Sequence, residues 1–309
     1  MKGVILAAGK GTRLYPITKR IPKPLLPIAN RPTIEYAFDK LRELSVEDVC
    51  IIVGENEPQM RESLGDGSRY GLRLSYAKQP EPKGLAHAVS FARDQIQDSP
   101  FILYLGDAIY GDSLVSLRDR FLESECANLN MVKQVDDPRR FGVANVEGER
   151  IVRLVEKPQH PESNLAMAGV YFFRKQIWDT FETLQPSARG EYEITDAIQM
   201  LVDRGETVLA GEYEGSWFDT GTLDSFLECS SYLTQRKPLF GSNLLLSCEV
   251  EENVSIGQDS VVNCKQIADT TVMPGSRISV TGTIRHCILA GDIEHVGSLE
   301  NVVMDSALT

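Results

Sequence analysis

The chain is 309 residues long and 42% hydrophobic, with 44 Asp and Glu against 32 Lys and Arg for a net charge of -12. A surface this acidic is unsuited to nonspecific nucleic-acid binding, which needs a basic face. None of the six cysteines forms a C-x-x-C pair and no two of the four histidines stand at helical ligand spacing, so neither a zinc site nor a disulfide framework is expected.

The predicted elements alternate from the start. Val4-Leu6, Asp48-Val53, Leu72-Tyr76 and Phe101-Leu105 read as short buried strands, and Thr33-Leu44, Pro58-Leu64 and Leu85-Ile96 have helical apolar spacing. Alternating β and α predicts a parallel sheet covered on both faces. Strands follow at Leu129-Val135, Phe141-Val146, Ile151-Glu156 and Ala168-Phe173, and helices at Lys175-Phe181, Ile194-Asp203 and Leu223-Leu233. Near residue 240 helical spacing vanishes. Short β-branched pieces recur with Gly and Asn, among them Val254-Gly257, Ser260-Asn263, Thr271-Gly275, Arg277-Val280 and Cys287-Gly291. They are too short and too evenly spaced for sandwich strands and suggest a loose hexapeptide-like repeat that winds a β-helix. The expected architecture is an α/β domain over residues 1–238, with a mixed, mostly parallel Rossmann-like sheet. A short left-handed β-helix follows over 239–309. It reads as an appended assembly module whose last coil has no evident cap, so a homo-oligomer is expected.

Charge is unevenly placed. Seven cations (Lys2, Lys10, Arg13, Lys19, Arg20, Lys23 and Arg31) precede the first acidic residue, Glu35. Such an island focuses the field on a phosphate-bearing ligand. A transit peptide is also basic, but the apolar Val4-Ile5-Leu6 starts almost at once and prolines 16, 22, 24 and 27 would break a targeting helix. With no apolar run long enough to span a bilayer, the expectation is a cytoplasmic enzyme with neither a membrane nor a nucleic-acid partner.

Leu6-Ala7-Ala8-Gly9-Lys10-Gly11-Thr12-Arg13-Leu14 takes a buried strand into a glycine-rich loop, where small residues let backbone N–H groups approach phosphate oxygens. A P-loop would need Ser or Thr after Gly-Lys, where Gly11 stands. A dinucleotide fingerprint would need a third glycine where Leu14 stands. Ten residues after Arg13 comes Lys23, held between Pro22 and Pro24. Flanking prolines suit a cation that must point at a fixed phosphate. Arg13 can grip phosphate bidentately, whereas Lys23 acts as a point charge. Further on, the apolar strand Phe101-Leu105 ends in Gly106-Asp107. That puts a hard carboxylate at the sheet's C-terminal edge, where ligands of open α/β sheets bind.

Taken together, these motifs resemble the sugar nucleotidylyltransferase superfamily, closest to the glucose-1-phosphate thymidylyltransferases of the longer type with a C-terminal β-helix. The resemblance covers the whole chain. Besides the opening motif it includes Gln79-Pro80-Glu81-Pro82-Lys83-Gly84-Leu85-Ala86-His87-Ala88, Phe141-Gly142-Val143-Ala144 and Val155-Glu156-Lys157-Pro158. Ala168-Gly169-Val170-Tyr171, Arg189-Gly190-Glu191-Tyr192-Glu193-Ile194-Thr195-Asp196 and Trp217-Phe218-Asp219-Thr220-Gly221 complete it. It implies that Leu6, Ala8, Gly9, Gly11, Thr12, Arg13, Gln79, Gly84 and Asp107 bind a nucleoside triphosphate, with Gln79 and Gly84 on a pyrimidine base. Gly142, Glu156, Lys157, Tyr171, Arg189 and Trp217 would bind a sugar 1-phosphate. Asp107 and Asp219 would hold Mg²⁺, and Arg13 and Lys23 would act on the reacting phosphates. Without the resemblance, Tyr171 and Trp217 would be taken as core aromatics. One position departs: thymidylyltransferases usually follow Gly-Asp with an asparagine that touches the sugar, and here Ala108 has no hydrogen bond to offer.

The implied reaction joins a nucleotidyl group, from dTTP by preference, to a hexose 1-phosphate, glucose 1-phosphate by preference, with release of pyrophosphate. A UTP-dependent enzyme is the rival within that class, since thymine and uracil share one hydrogen-bonding edge. A noncatalytic sugar-nucleotide-binding relative is the rival outside it.

Overall fold

The computed structural model describes residues 1–308; Thr309, the last residue of the expected C-terminal module, lies outside them. The chain forms two compact units, one of residues 1–9, 37–106 and 110–217, the other of 10–36, 107–109 and 218 onward.

In chain order the first unit is built around β1 (Lys2–Leu6), α1 (Thr33–Glu43, entering from the second unit), β2 (Asp48–Val53), α2 (Glu57–Leu64), β3 (Arg73–Lys78), α3 (Leu85–Ser90), α4 (Arg93–Ile96) and β4 (Phe101–Leu105). The short strand β5 (Ala108–Tyr110) is followed by α5 (Val115–Glu123), β6 (Asn128–Gln134), β7 (Gly142–Glu147), β8 (Arg150–Glu156), β9 (Leu165–Phe173), α6 (Gln176–Phe181), α7 (Ile194–Asp203), β10 (Val208–Glu212) and β11 (Trp217–Asp219). Nine of these strands make one sheet in the order β3-β2-β1-β4-β9-β6-β10-β8-β7. Its first four strands are parallel, with Val4 opposite Cys50 and Leu103. The inner three, β2, β1 and β4, are largely buried and read as apolar runs, whereas β3 at the edge alternates polar and apolar residues. The sheet is more mixed than the sequence suggests, because β9 enters antiparallel to both β4 and β6, setting Tyr171 opposite Leu103 and Asn130.

The helix expected over Leu85-Ile96 is two helices. Ser90 Oγ donates to the His87 carbonyl at 2.8 Å, a local bond that competes with the helical ladder. Two elements that periodicity does not announce, α5 and β10, touch at a glycine: a Cβ on Gly211 would stand 2.4 Å from Leu117 Cδ2.

The second unit is closed by α8 (Leu223–Thr234), whose N-terminus is a reciprocal capping box. The Ser225 amide donates to Thr222 Oγ1 at 3.2 Å and the Thr222 amide to Ser225 Oγ at 3.1 Å. Eight strands follow: β12 (Leu239–Phe240), β13 (Leu245–Val250), β14 (Val254–Ile256), β15 (Val261–Val272), β16 (Arg277–Val280), β17 (Thr283–Ala290), β18 (Asp292–His295) and β19 (Leu299–Asp305). All of their pairings are parallel. Leu245 pairs with Val261, Ile267 with Ile284 and Arg277 with Asp292, so a residue meets its neighbour 15 to 17 positions on. Val254, Ile256, Val262, Ile267, Val272, Ile278, Ile284, Leu289 and Ile293 form their buried column. Asn253, Asp269, His286 and Asn301, at a similar repeat, all have positive φ, the left-handed conformation that short polar side chains tolerate best.

A further core within this unit joins Leu14, Ile17, Leu26 and Ile28 of the glycine-rich loop region to Phe226, Leu227, Met273, Ile288 and Ala290. The late strands therefore also support the loop that carries the cationic island.

Candidate active site

In the second unit, the sequence around Lys23 leaves its backbone little freedom. Pro22 and Pro24 flank it, and Lys23–Leu25 form a single 3-10 turn. Gly11 has φ +63, and a Cβ there would lie 3.1 Å from Lys23 Cβ and from Thr18 Cγ2. Thr18 Oγ1 in turn donates to the Gly11 carbonyl at 2.8 Å. The lysine side chain is only 7% exposed, and its Nζ lies 2.5 Å from Asp107 Oδ2 and 3.8 Å from Asp219 Oδ1. A buried ammonium requires such partners. Arg13, 54% exposed, reaches Asp219 Oδ2 at 3.9 Å. Gly221 makes room for it, since a Cβ there would stand 2.6 Å from Arg13 Nη2. Thr220 Oγ1 donates to the Asp107 carbonyl at 2.8 Å, tying the two aspartate motifs together although they are distant in sequence. All four charged residues read from the sequence in this region thus form one cluster.

Thr12 opens the 3-10 turn Thr12–Leu14 of the same unit, and the other residues expected to matter lie in the first unit and form two groups. Leu6 ends β1, and the Ala7 amide donates to the Ile52 carbonyl at 2.8 Å. Asn56 Nδ2 donates to the Ala7 carbonyl at 2.8 Å, so the start of the loop through Ala8 and Gly9 is pinned from β2's end. A Cβ on Gly9 would meet nothing within 4 Å. Gln79 is buried and its Nε2 lies 3.3 Å from the Gly84 carbonyl and 3.0 Å from His87 Nδ1. Burial holds the His87 pKa below its ordinary value, so the neutral ring can accept that bond. Gly84 has φ +106, and a Cβ there would come within 2.5 Å of the Tyr192 carbonyl oxygen. The backbone crossing therefore demands glycine.

Glu156 is the centre of the other group. Its Oε2 accepts from Thr195 Oγ1 at 2.9 Å, and its Oε1 lies 3.2 Å from Lys157 Nζ and 3.4 Å from Arg189 Nη1. Arg189 also faces Glu191 and Glu193, at 3.4 and 3.5 Å. Burial raises the Glu193 carboxyl above the usual range, although Ser187 donates to it at 3.0 Å. Lys157 sits at a positive φ, and its amide donates to the Phe141 carbonyl at 3.0 Å, which carries the chain past Gly142. A Cβ on Gly142 would meet Thr195 Cγ2 at 2.4 Å and Glu156 Oε2 at 3.2 Å. Tyr171 is 3% exposed, and burial pushes its phenol pKa well up. Trp217 is half-buried with its ring 5.2 Å from Phe141. Lys133 Nζ staples the loop ahead of it, donating to the Gly215 carbonyl at 2.8 Å.

Sequence reading passed over Thr18, Asn56 and Lys133, and quoted His87 and Thr220 within their motifs without assigning them a partner. Their bonds run mostly to backbone carbonyls far away in sequence, which no spacing rule can reveal. Thr195 was quoted within its motif, but its bond to Glu156 was not foreseen.

A mixed α/β sheet, a glycine-rich loop that is neither a P-loop nor a dinucleotide fingerprint, and a buried lysine between two carboxylates define an enzyme built around phosphate chemistry. Residues 2–236 match the family described as Nucleotidyl transferase. The low-salt glycan biosynthesis nucleotidyltransferase Agl11 of Haloferax volcanii is 40% identical over 241 residues, covering 77% of this chain and 68% of that protein. A glucose-1-phosphate thymidylyltransferase of Streptomyces griseus is 38% identical over 293 residues, covering 90% of this chain and 79% of its own length. A crystal structure of a Bacillus anthracis protein assigned as a glucose-1-phosphate thymidylyltransferase superposes with a TM-score of 0.71 at 36% identity, over 75% of this chain and 94% of that one. The chain belongs to the nucleotidyl transferase family.

Proposed function

We propose that this enzyme transfers a nucleotidyl group from a nucleoside triphosphate, preferentially dTTP, to a hexose 1-phosphate, preferentially glucose 1-phosphate, releasing pyrophosphate. The observation that carries the reading is Lys23, buried against Asp107 and Asp219 with Arg13 beside them. The relatives named as glucose-1-phosphate thymidylyltransferases support the choice of substrates.

Two hard carboxylates converging on one cation match the donor set of Mg²⁺, which takes one or two carboxylates and completes its shell with water and substrate phosphate. Among the described residues no cluster of three His, Cys, Asp or Glu could hold a metal without a substrate's help. Asp107 and Asp219 are the residues that would hold Mg²⁺, and bound there it neutralises charge on the triphosphate.

The sugar phosphate oxygen is already anionic, so its in-line attack on the α-phosphorus needs no general base, and catalysis is positioning plus charge stabilisation. Arg13 and the amides of the Gly9–Thr12 loop bind the triphosphate, and Lys23 stabilises charge at the α-phosphate. Gln79 uses its amide N–H₂ on Gly84 and His87. Its Oε1 is then the acceptor for the ring N–H of thymine or uracil. Glu156 binds sugar hydroxyls beside the Gly142 backbone, and Lys157 and Arg189 meet the sugar phosphate. Tyr171 shapes the floor from within the core, and Trp217 lines the wall.

We also read the C-terminal parallel strands as a short β-helix, left-handed as the hexapeptide-like pieces suggest, through which copies of the chain assemble. The repeated register and buried column support a β-helix. No helix among the described residues is long and apolar enough to cross a membrane.

The test is pyrophosphate release measured for four nucleoside triphosphates against several hexose 1-phosphates. Release with dTTP and glucose 1-phosphate above all other pairs is expected. No release with any pair from folded protein would overturn the proposal.

A further inference from the structure

The Lys23 ammonium approaches both Asp107 and Asp219 within ion-pair distance, and it is far more buried than Arg13 beside it. We propose that Lys23 is the resident counter-ion of this carboxylate pair. In the nucleotide-free enzyme it holds the carboxylates against a bare divalent cation and yields them only when a triphosphate arrives. The inference rests on the proposed function, because it takes Asp107 and Asp219 as the metal-holding pair.

The physical argument is one of partners. An ammonium that is 7% exposed cannot leave its carboxylates for an apolar wall without losing the charge that compensates it. A metal ion arriving alone would have to expel Lys23 with nowhere to put it. A triphosphate changes the balance, since its oxygens give the ammonium new anionic partners while the metal takes over the carboxylates. Pro22, Pro24 and the tight approach of Gly11 fix the lysine backbone, so the exchange needs only side-chain rotation. Arg13 is too exposed and too far from Asp107's partner set to play this part, as its one contact in the cluster is 3.9 Å from Asp219. Metal and nucleotide should then bind cooperatively, each raising the other's affinity by the same factor.

The test titrates Mn²⁺ into nucleotide-free enzyme and follows the signal of free Mn²⁺ by electron paramagnetic resonance. Lys23→Met keeps the side-chain length and removes the charge. It should bind Mn²⁺ ~10-fold or more tightly than wild type, the size of an ordinary coupling between sites. Lys23→Arg, which keeps a cation, should stay near wild type, and adding Asp107→Asn to Lys23→Met should abolish the gain. With dTTP present and no sugar phosphate, the cooperativity between Mn²⁺ and dTTP should fall by the same factor in Lys23→Met. If Lys23→Met binds Mn²⁺ no better than wild type, or neither binds it, the counter-ion role is wrong. The functional reading fails separately, by no pyrophosphate release from folded wild type with any nucleotide and sugar phosphate, and the metal role of Asp107 by a normal rate of release from Asp107→Asn.

Discussion

The two charged clusters of this enzyme are inverses of each other. Around Lys23 a cation is buried and two carboxylates hold it, with prolines and glycine fixing the backbone. Around Glu156 a carboxylate is central, held by a hydroxyl from Thr195 and by Lys157 and Arg189. The difference suits what each is proposed to receive. A cluster that must gain a metal and a triphosphate presents acids already balanced by a removable cation. A cluster that must grip neutral hydroxyls and one phosphate presents an acceptor fixed in orientation with cations beside it.

The largest expected effect tests the first cluster. Asp107→Asn and Asp219→Asn should each lower turnover at least ~100-fold, as loss of a charge-stabilising element does. Steady-state pyrophosphate release checks this, and a normal rate in either variant would remove that aspartate from the comparison. In the second cluster Glu156→Gln should act mainly through the sugar. We expect the KM for glucose 1-phosphate to rise about 10-fold with a smaller change in kcat, the signature of lost ground-state binding to a charged acceptor. A change confined to the nucleotide KM would assign Glu156 to the wrong substrate.

Gly142→Ala sharpens the comparison by testing fit without charge. Its Cβ would meet Thr195 Cγ2 at 2.4 Å. Overpacking of that kind costs ~1–3 kcal/mol, read as a lower denaturation midpoint. Pairing it with Thr195→Ser, which removes the methyl, should restore most of the loss.

His286 extends the comparison to a third ionic group, its Nδ1 lying 2.5 Å from Asp269 and its Nε2 2.8 Å from Asp224 at the start of α8. Burial alone would lower its pKa, but the two carboxylates outweigh that and the net shift is upward from 6.5. Arg236, Arg285, Glu228 and Glu252 line the same pocket. A raised folded-state pKa means that the stabilisation is complete below the unfolded value and lost as pH rises through the folded one. The melting temperature of wild type should therefore exceed that of His286→Gln at about pH 6 and converge on it by about pH 9. A difference that grows with pH would reverse the sign.

The smallest effect concerns Ala108, which is 4% exposed. Ala108→Asn should raise the preference for glucose 1-phosphate over its epimers by about 1 kcal/mol, one hydrogen bond's worth. An unchanged ratio in a folded, active variant would show that the position does not set sugar choice.

Much of this protein was legible because its signals are local. Val4-Leu6, Val49-Val53 and Phe101-Leu105 are continuous apolar runs, and a parallel strand buried on both faces leaves just that trace. The constraint on the Lys23 backbone was legible because prolines and glycines record such demands in the residue itself. Strand β10 and helix α5 left weaker traces, as Gly211 interrupts the first and their contact is read only from Leu117 lying over that glycine. The register of the late strands, offset by 15 to 17 residues, was only approximated by a hexapeptide-like repeat, because pairing depends on turns whose length the side-chain pattern does not state.

The sequence by itself determined that Arg13 and Lys23 would follow the first strand in a loop shaped by glycines and prolines, that Asp107 would stand at a strand end, and that the chain would change texture near residue 240. The tertiary structure alone decided that Lys23 is buried against both aspartates, that Thr195 orients Glu156, and that Met273, Ile288 and Ala290 support the loop region through Leu14 and Ile17. The physical reason is the same in each case. Residue type and spacing fix what a short segment can do, whereas partners tens to hundreds of residues apart are chosen by packing, which only the folded chain brings about.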